Sequence, residues 1–270
     1  MKILQGCVRY PPAPGGAETV VKAYSEGLRD LGHDVEVVTT DLYTETPFVK
    51  KKMPSVVNGI NVTRHKAYTV SGEAHYVLAP CMVQSFLSKN ADIIHTHSYG
   101  YFQNHAGWIR ERFQSTPWVI TPHFHPSWSM WGGSKRKTLR EFYDTVIGKG
   151  TLEAADLITC VSKHERDMLV SEIGLKEDNI KIIYNGINWV DWSSVPNKEV
   201  FRKQYPTISE KFVLFAGRLA TNKGLSDLIS AMQLIDKKSV DLVITGADMG
   251  LGEQLEKEAS DKGVTMHRLG

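Results

Sequence analysis

Short β-branched, apolar runs alternate with longer segments of helical period along nearly the whole chain, and this alternation limits the fold more than any other feature. Strands are expected at Lys2–Val8, Asp34–Thr39, Gly59–Arg64, Asp92–His95, Trp118–Thr121, Asp156–Val161 and Asn179–Tyr184. Helices are expected between them. Glu18–Leu31 would bury Val20, Val21, Tyr24, Leu28 and Leu31 and stop at Gly32. Val77–Ser88 can be helical only from about Pro80 onward, because proline fits just the first turn. Further helices are expected around 101–113, 136–154 and 163–173. Strand–helix–strand order implies parallel pairing, so the fold class is α/β with a doubly wound, Rossmann-like sheet. Ligands of such sheets lie at the carboxyl ends of the strands. That rule selects the loops that begin at Arg9, His95, Thr121, Val161, Tyr184, Ala216 and Thr245.

The pattern breaks after Asn185-Gly186. Residues 187–209 contain Pro196 and Pro206 and show little period. It restarts with strand Lys211–Ala216, helix 223–235, strand Val240–Thr245, helix 250–262 and strand Val264–His267. The expected organisation is a first domain at 1–190, a linker at 191–210 and an incomplete second Rossmann-like domain at 211–270. Three strands would leave one sheet edge bare. The first domain, another chain in an oligomer, or a part of the protein beyond Gly270 would have to cover it.

Bulk properties exclude several classes. The 270 residues are 41% hydrophobic and 23% charged, as in soluble globular proteins. A net charge of +2 gives no basis for a nucleic-acid partner. Cys7, Cys81 and Cys160 are too few and too scattered for a disulfide framework. The start of the chain is too short and polar for a signal peptide, and no apolar run could span a bilayer. A cytoplasmic location is the expectation.

Three groups of residues carry chemistry. In Phe212–Gly224 an apolar strand ends at Gly217-Arg218, and Lys223-Gly224 opens a helix. Backbone N–H groups, a helix N-terminus and two cations together suit a diphosphate, whereas a solvated basic turn is the plain reading. No Asp-x-Asp occurs, so the usual carboxylate clamp for a metal–diphosphate is missing. Gly15 and Gly16 lie between the first strand and first helix, where they allow close approach of a phosphate or sugar, or simply a turn. Neither G-x-G-x-x-G nor a P-loop is present. His95, His97, His123 and His125 form two H-x-H pairs at strand ends. Residues i and i+2 share a face, so these imidazoles could converge on zinc as a metal-dependent hydrolase, or serve sugars or the core without metal. Ser162 with Glu165 reads as a capping box. Asn185-Gly186 reads as a turn or a substrate contact. Trp128 and Trp131 stand beside Lys135, Arg136 and Lys137. That loop would touch the inner face of an anionic membrane peripherally, or line an acceptor site, or be ordinary surface.

Together these stretches resemble the retaining GT-B glycosyltransferases of family 4. Tyr10-Pro-Pro…Gly15-Gly16-Ala-Glu18 is similar to the family's glycine loop, and Asp92–His97 to its acceptor-side strand. Thr121-Pro-His123 resembles the Thr-x-His of the cleft. Val161-Ser162 and Tyr184–Ile187 resemble later first-domain signatures, and Gly217–Gly224 the donor-diphosphate motif. The resemblance implies transfer of a sugar from a nucleotide-diphosphate sugar to an acceptor hydroxyl, with retained configuration and no metal or other cofactor. It makes His123, Arg218 and Lys223 the catalytic candidates. Gly15, Gly16, His97, Ser162, Asn185, Gly217 and Gly246 would bind donor or acceptor, with the base near Gly246 and Gly270. The partners implied are the nucleotide sugar and a carbohydrate or lipid-linked acceptor. The family's Glu-x7-Glu element of the second domain has no match, and Glu253 and Glu256 do not fit it. The chain alone is therefore expected to be an incomplete enzyme, inactive or weakly active. A non-catalytic sugar- or nucleotide-binding module is the alternative outside this class, and an epimerase or phosphorylase the alternative within it.

Overall fold

A computed structural model describes residues 1–45, 47–70, 73–126, 134–235 and 240–269. They form two compact units, Met1–Ile187 and Asn188–Gly270.

In the first unit β1 (Lys2–Gly6) leads to α1 (Gly16–Asp30) and β2 (Asp34–Thr40). Short strands follow: β3 (Leu42–Thr44), β4 (Val49–Lys50), β5 (Val56–Val57), β6 (Ile60–His65), β7 (Tyr68–Val70) and β8 (Glu73–Leu78). Then come α2 (Cys81–Ser88), β9 (Ile93–His97), α3 (Phe102–Gln114), β10 (Trp118–Thr121), α4 (Ser134–Tyr143) and α5 (Lys149–Glu153). The unit ends with β11 (Leu157–Cys160), α6 (Lys163–Met168) and β12 (Ile180–Ile182). One sheet runs β12-β11-β10-β9-β1-β2-β6-β5, parallel except for β5. From β1 the chain winds outward to β2 and β6, then returns to β9 and winds the other way. The winding reverses between β1 and β9, and the carboxyl ends of those strands flank the crevice that such sheets use for ligands.

Both faces of the sheet are covered. Leu4, Phe86, Ile94, Trp118, Ile120 and Ile158 pack on one side, and Ile3, Val21, Val35, Val37 and Ile60 on the other. Helix α1 buries Val21 and Ser25 there, with Tyr24 and Leu28 half-buried. Leu31, expected on the same face, is 76% exposed, because the helix ends at Asp30 before that turn completes. The helix expected at 136–154 carries a π-helical turn at Asp144–Gly148. There Arg140 stacks 4.7 Å over the Tyr99 ring, and the Tyr99 hydroxyl donates to Asp144 at 2.9 Å. The helix after Ser162 closes with a second π turn, Leu169–Ile173, which ends at Gly174 with φ 75°.

The second unit begins with α7 (Trp189–Trp192) and α8 (Lys198–Gln204), where a linker at 191–210 was expected. Asn188 and Asn197 cap these helices by accepting from Val190 N and Glu199 N. Arg202 of α8 donates to the carbonyls of Ile208, Ser209 and Glu210. Three parallel strands follow in the order β13 (Lys211–Ala216), β14 (Val240–Thr245), β15 (Met266–Leu269). Between them lie α9 (Leu225–Met232) and α10 (Gly252–Asp261). Leu225, Ile229, Leu242, Ile244 and Leu255 form the core. Among the described residues β13 pairs only with β14, and its Leu214 is 57% exposed.

Candidate functional site

In the first unit Gly15, Gly16, His95, His97 and His123 lie where β1, β9 and β10 end, while Ser162 and Asn185 follow β11 and β12. Gly15 and Gly16 are exposed in the loop that opens α1. A Cβ on Gly15 would come within 1.8 Å of Glu18 Oε2, whereas one on Gly16 would meet nothing within 4 Å. A side chain at position 15 would displace the Glu18 carboxylate, and Gly16 leaves its backbone open to approach. Glu18 is buried below them and pairs with Arg9 at 2.7 Å.

His95 and His97 share a face of β9, as their spacing requires, and both are buried. Their ring centroids are 4.1 Å apart, and His123 lies 6.2 Å beyond His97 in stacked orientation. His95 Nε2 lies 2.8 Å from Thr121 Oγ1, which lies 2.5 Å from Thr159 Oγ1. His97 Nε2 lies 2.9 Å from Gln5 Oε1. An imidazole facing a carbonyl oxygen must donate to it, which leaves the lone pair on the neutral ring's Nδ1. Burial, with the neighbouring His123 adding to it, pushes His95 down to about 3. Burial and His95 hold His97 well below its ordinary range, and burial and His125 lower His123 to about 4. All three are neutral at pH 7, so they act as hydrogen-bonding groups rather than cations. His125 is exposed. His95, His97 and His123 lie in a row of ring contacts, with centroids 4.1 and 6.2 Å apart. Among the described residues no three His, Cys, Asp or Glu side chains form a metal-binding group.

Four buried polar atoms here have no hydrogen-bond partner among the described residues: Gln5 Nε2, His97 Nδ1, Asn104 Oδ1 and His123 Nε2. Such groups are rare in folded proteins. These four lie on β1, β9, the first turn of α3 and the loop after β10, while Arg9 Nε, Tyr10 Oη and Thr39 Oγ1 likewise lack a hydrogen-bond partner, nearby in sequence to β1 and β2. Gln5, Gln103 and Asn104 were not among the sequence-selected residues. Gln103 donates to His97 O, and Asn104 donates to Ser98 O at 2.7 Å, so the first turn of α3 fixes the loop after β9.

His123 has φ 47°, the left-handed region that a side chain seldom adopts. Glu165 explains how it is held. The 3% exposed carboxylate accepts from Phe124 N and from Val161 N, each at 2.7 Å. The expected capping box is thus half formed. Ser162 Oγ accepts from Glu165 N at 3.0 Å, but Glu165 turns to the His123 loop rather than to the Ser162 backbone. Burial raises the Glu165 pKa against these backbone hydrogen bonds. Asn185 is exposed beyond β12.

In the second unit Gly217 closes β13 by donating to Thr245 O at 2.9 Å. A Cβ on Gly246 would lie 2.1 Å from Gly217 O, so two glycines let the ends of β13 and β14 meet. Arg218 is exposed on the following loop, and Lys223 ends a 3-10 turn, Thr221–Lys223, just before α9. Neither side chain has a hydrogen bond or ion pair with the described residues. Sequence reasoning did not select Asp248. It accepts from Gly250, Leu251 and Gly252 N and pairs with Arg268 at 2.8 Å.

Trp128, Trp131 and Gly270 lie outside the described residues, as do the side chains of Lys135 and Arg136. Lys137 lies on α4 and pairs with Glu141 at 3.9 Å. No helix among the described residues is long and apolar enough to cross a membrane.

The chain matches the glycosyltransferase family 4 model over residues 14–189. It matches glycosyl transferases group 1 over residues 197–268. An uncharacterized glycosyltransferase of Methanocaldococcus jannaschii, MJ1607, is 28% identical over 92% of this chain and 63% of its own length. The phosphatidylinositol N-acetylglucosaminyltransferase GPI3 subunit of Saccharomyces cerevisiae is 25% identical over 83% of this chain and 47% of its own length. The chain therefore spans less than two thirds of either relative. The crystal structure of Anabaena HepE in complex with UDP-glucose shares the fold, with TM-score 0.65 and 18% identity over 100% of this chain and 69% of HepE. With most of its first unit matched as one module and most of its second as another, the chain belongs to glycosyltransferase family 4, of the GT-B type.

Proposed function

We propose that the chain carries the acceptor side, and the diphosphate end of the donor site, of a retaining glycosyltransferase. The enzyme would move a sugar from a nucleotide-diphosphate sugar to an acceptor hydroxyl. The observation that carries this reading is the set of unpartnered buried polar atoms where the winding of the first sheet reverses. A sugar, with many hydroxyls that both donate and accept, is the ligand class that could satisfy an imidazole lone pair and two amides together. HepE, which shares the fold, binds UDP-glucose in its crystal.

In this reading Gly15 and Gly16 present backbone N–H groups to the substrate, and His97 and His123 hydrogen-bond sugar hydroxyls as neutral imidazoles. Arg218 and Lys223 stabilise the negative charge that grows on the departing diphosphate, where it matters most for rate. Gly217 and Gly246 let the backbone approach the nucleotide.

Calorimetry with UDP and GDP sugars tests the donor assignment on this chain. Binding of one donor, weakened about 10-fold or more by Arg218→Ala or Lys223→Ala, is expected. In a catalytically complete form each substitution should cut turnover on the order of 10²–10³-fold, with the product anomer matching the donor. Donor affinity and turnover unchanged by both substitutions would refute the assignment. Binding without turnover in every form would favour a sugar-binding module.

A further inference from the structure

A second feature of the same strand edge lies outside the crevice. A shallow cavity, open to solvent, is lined by Asp41, Lys50, Lys51, Lys52, Met53 and Arg64, the three lysines being exposed. Four cations face one carboxylate, and that carboxylate is engaged, since Asp41 Oδ1 accepts from Ala67 N at 2.8 Å. None of the four cations has an ion-pair partner among the described residues. Arg64 directs its guanidinium at the carbonyls of Pro54, Tyr10 and Pro11, at 3.1, 3.2 and 2.7 Å. It is half-buried, and burial lowers its pKa. A half-buried cation bonded only to neutral oxygens has no counter-charge in those contacts. Lys51 Nζ lies 3.6 Å from the centre of the Tyr43 ring, and Lys50 Nζ lies 3.3 Å from Ala67 O. These contacts orient the ammonium groups without neutralising them.

The position of the cavity suggests what it binds. Asp41 follows the last residue of β2, and Arg64 pairs with Thr39 in β6, so the cavity opens at the carboxyl ends of β2 and β6. Arg64 also ties it to the Tyr10-Pro11 part of the loop that leads to Gly15 and Gly16. With strands about 4.8 Å apart, β6 is on the order of 10 Å from β1. One substrate molecule can bridge that distance. Lysine ammonium groups act on phosphate as point charges, and Arg64 adds a guanidinium beside them.

We propose that this cavity binds the phosphate of a phosphate-bearing acceptor whose hydroxyl lies in the β1–β9 crevice. The inference rests on the proposed transferase reading. The phosphate could belong to a soluble sugar phosphate or to a lipid headgroup, and the test separates these sources.

The intact chain is compared with a Lys50→Gln/Lys51→Gln/Lys52→Gln variant, and with a charge-matched control carrying Lys176→Gln, Lys181→Gln and Lys198→Gln at exposed sites. Binding of glucose 6-phosphate and inorganic phosphate is measured by calorimetry. Cosedimentation is measured with phosphatidylcholine vesicles with and without phosphatidic acid. UDP binding is measured in parallel. The expected result is a loss of about 10-fold or more in the cavity variant alone, for the soluble ester or for the anionic vesicles, with UDP affinity unchanged. Loss for the ester identifies a soluble acceptor, and loss for vesicles alone a lipid headgroup. No binding of either probe, or equal loss in both variants, overturns the proposal. Absence of nucleotide binding in all three proteins would count against the transferase reading and leave the phosphate result standing.

Discussion

Removing the Glu165 carboxylate should release the His123 loop, and the size of the effect follows from the hydrogen bonds. In Glu165→Ala the N–H groups of Phe124 and Val161 lose their 2.7 Å acceptors. Phe124 is 3% exposed, so water does not replace the carboxylate there without rearrangement. A buried donor left unpaired costs about 1–3 kcal/mol, and loss of a charged acceptor lies toward the upper end. Relief of carboxylate burial, seen in the raised pKa of Glu165, returns part of this. A net loss of about 3 kcal/mol is expected. Glu165→Gln should cost nearly as much, since its NH2 group would face one of the two N–H donors. Because the chain has two units, a single unfolding free energy is a poor measure. Amide hydrogen exchange read at Phe124 and Val161 is local and direct. Both amides should exchange about 100-fold faster in the variants, as about 3 kcal/mol requires. The His123 ring resonances should shift as φ leaves the left-handed region. Protection changed by less than about 5-fold, or an unmoved His123, would refute the idea that Glu165 holds this loop.

Acid should unfold the first unit cooperatively. The depressed pKa values of His95, His97 and His123 mean that the unfolded chain binds more protons than the folded one below about pH 6.5. Their stabilisation is complete above that pH and is lost as pH falls toward the folded values of about 3 for His95 and about 4 for His123. Each buried imidazole contributes at most about 1.4 kcal/mol per pH unit. A circular-dichroism titration should show the midpoint moving to lower pH in His95→Gln, and an unmoved midpoint would contradict this. Gly246→Ala should destabilise the second unit by about 3 kcal/mol or more, since its Cβ would fall 2.1 Å from the Gly217 carbonyl oxygen. Gly186→Ala meets nothing within 4 Å and should change stability by less than about 0.5 kcal/mol, so equal thermal shifts would refute the steric argument. Ser162→Ala removes the cap of α6 and should cost about 1 kcal/mol, read by amide exchange at Glu165 N, and unchanged exchange would mean that the cap is dispensable.

Local patterns were legible in the sequence, and long-range pairings were not. Lys211–Ala216 and Val240–Thr245 begin and end where their apolar runs do, and Trp118–Thr121 is bounded by Pro117 and Pro122. β3, β4 and β5 have only two or three residues, too few to show alternation, and they were not foreseen. The helices at 189–204 were hidden by two prolines, although Asn188 and Asn197 were readable caps. The candidate site divides along the same line. Two H-x-H pairs on strand ends do place imidazoles on one edge, as the period of 2 requires. Whether they bind metal, fill the core or meet a ligand depends on which nitrogen remains without a partner. For His97 that is decided by Gln5, 92 positions away, and for His95 by Thr121, 26 positions away. Glu165 shows the same limit. Its spacing from Ser162 correctly predicted the helix start, but its carboxylate serves Phe124, 41 positions away. Spacing marks where chemistry can be placed. The register of β1 against β9 and of β9 against β10 decides which hydrogen bonds are already made, and so which atoms are left for a substrate.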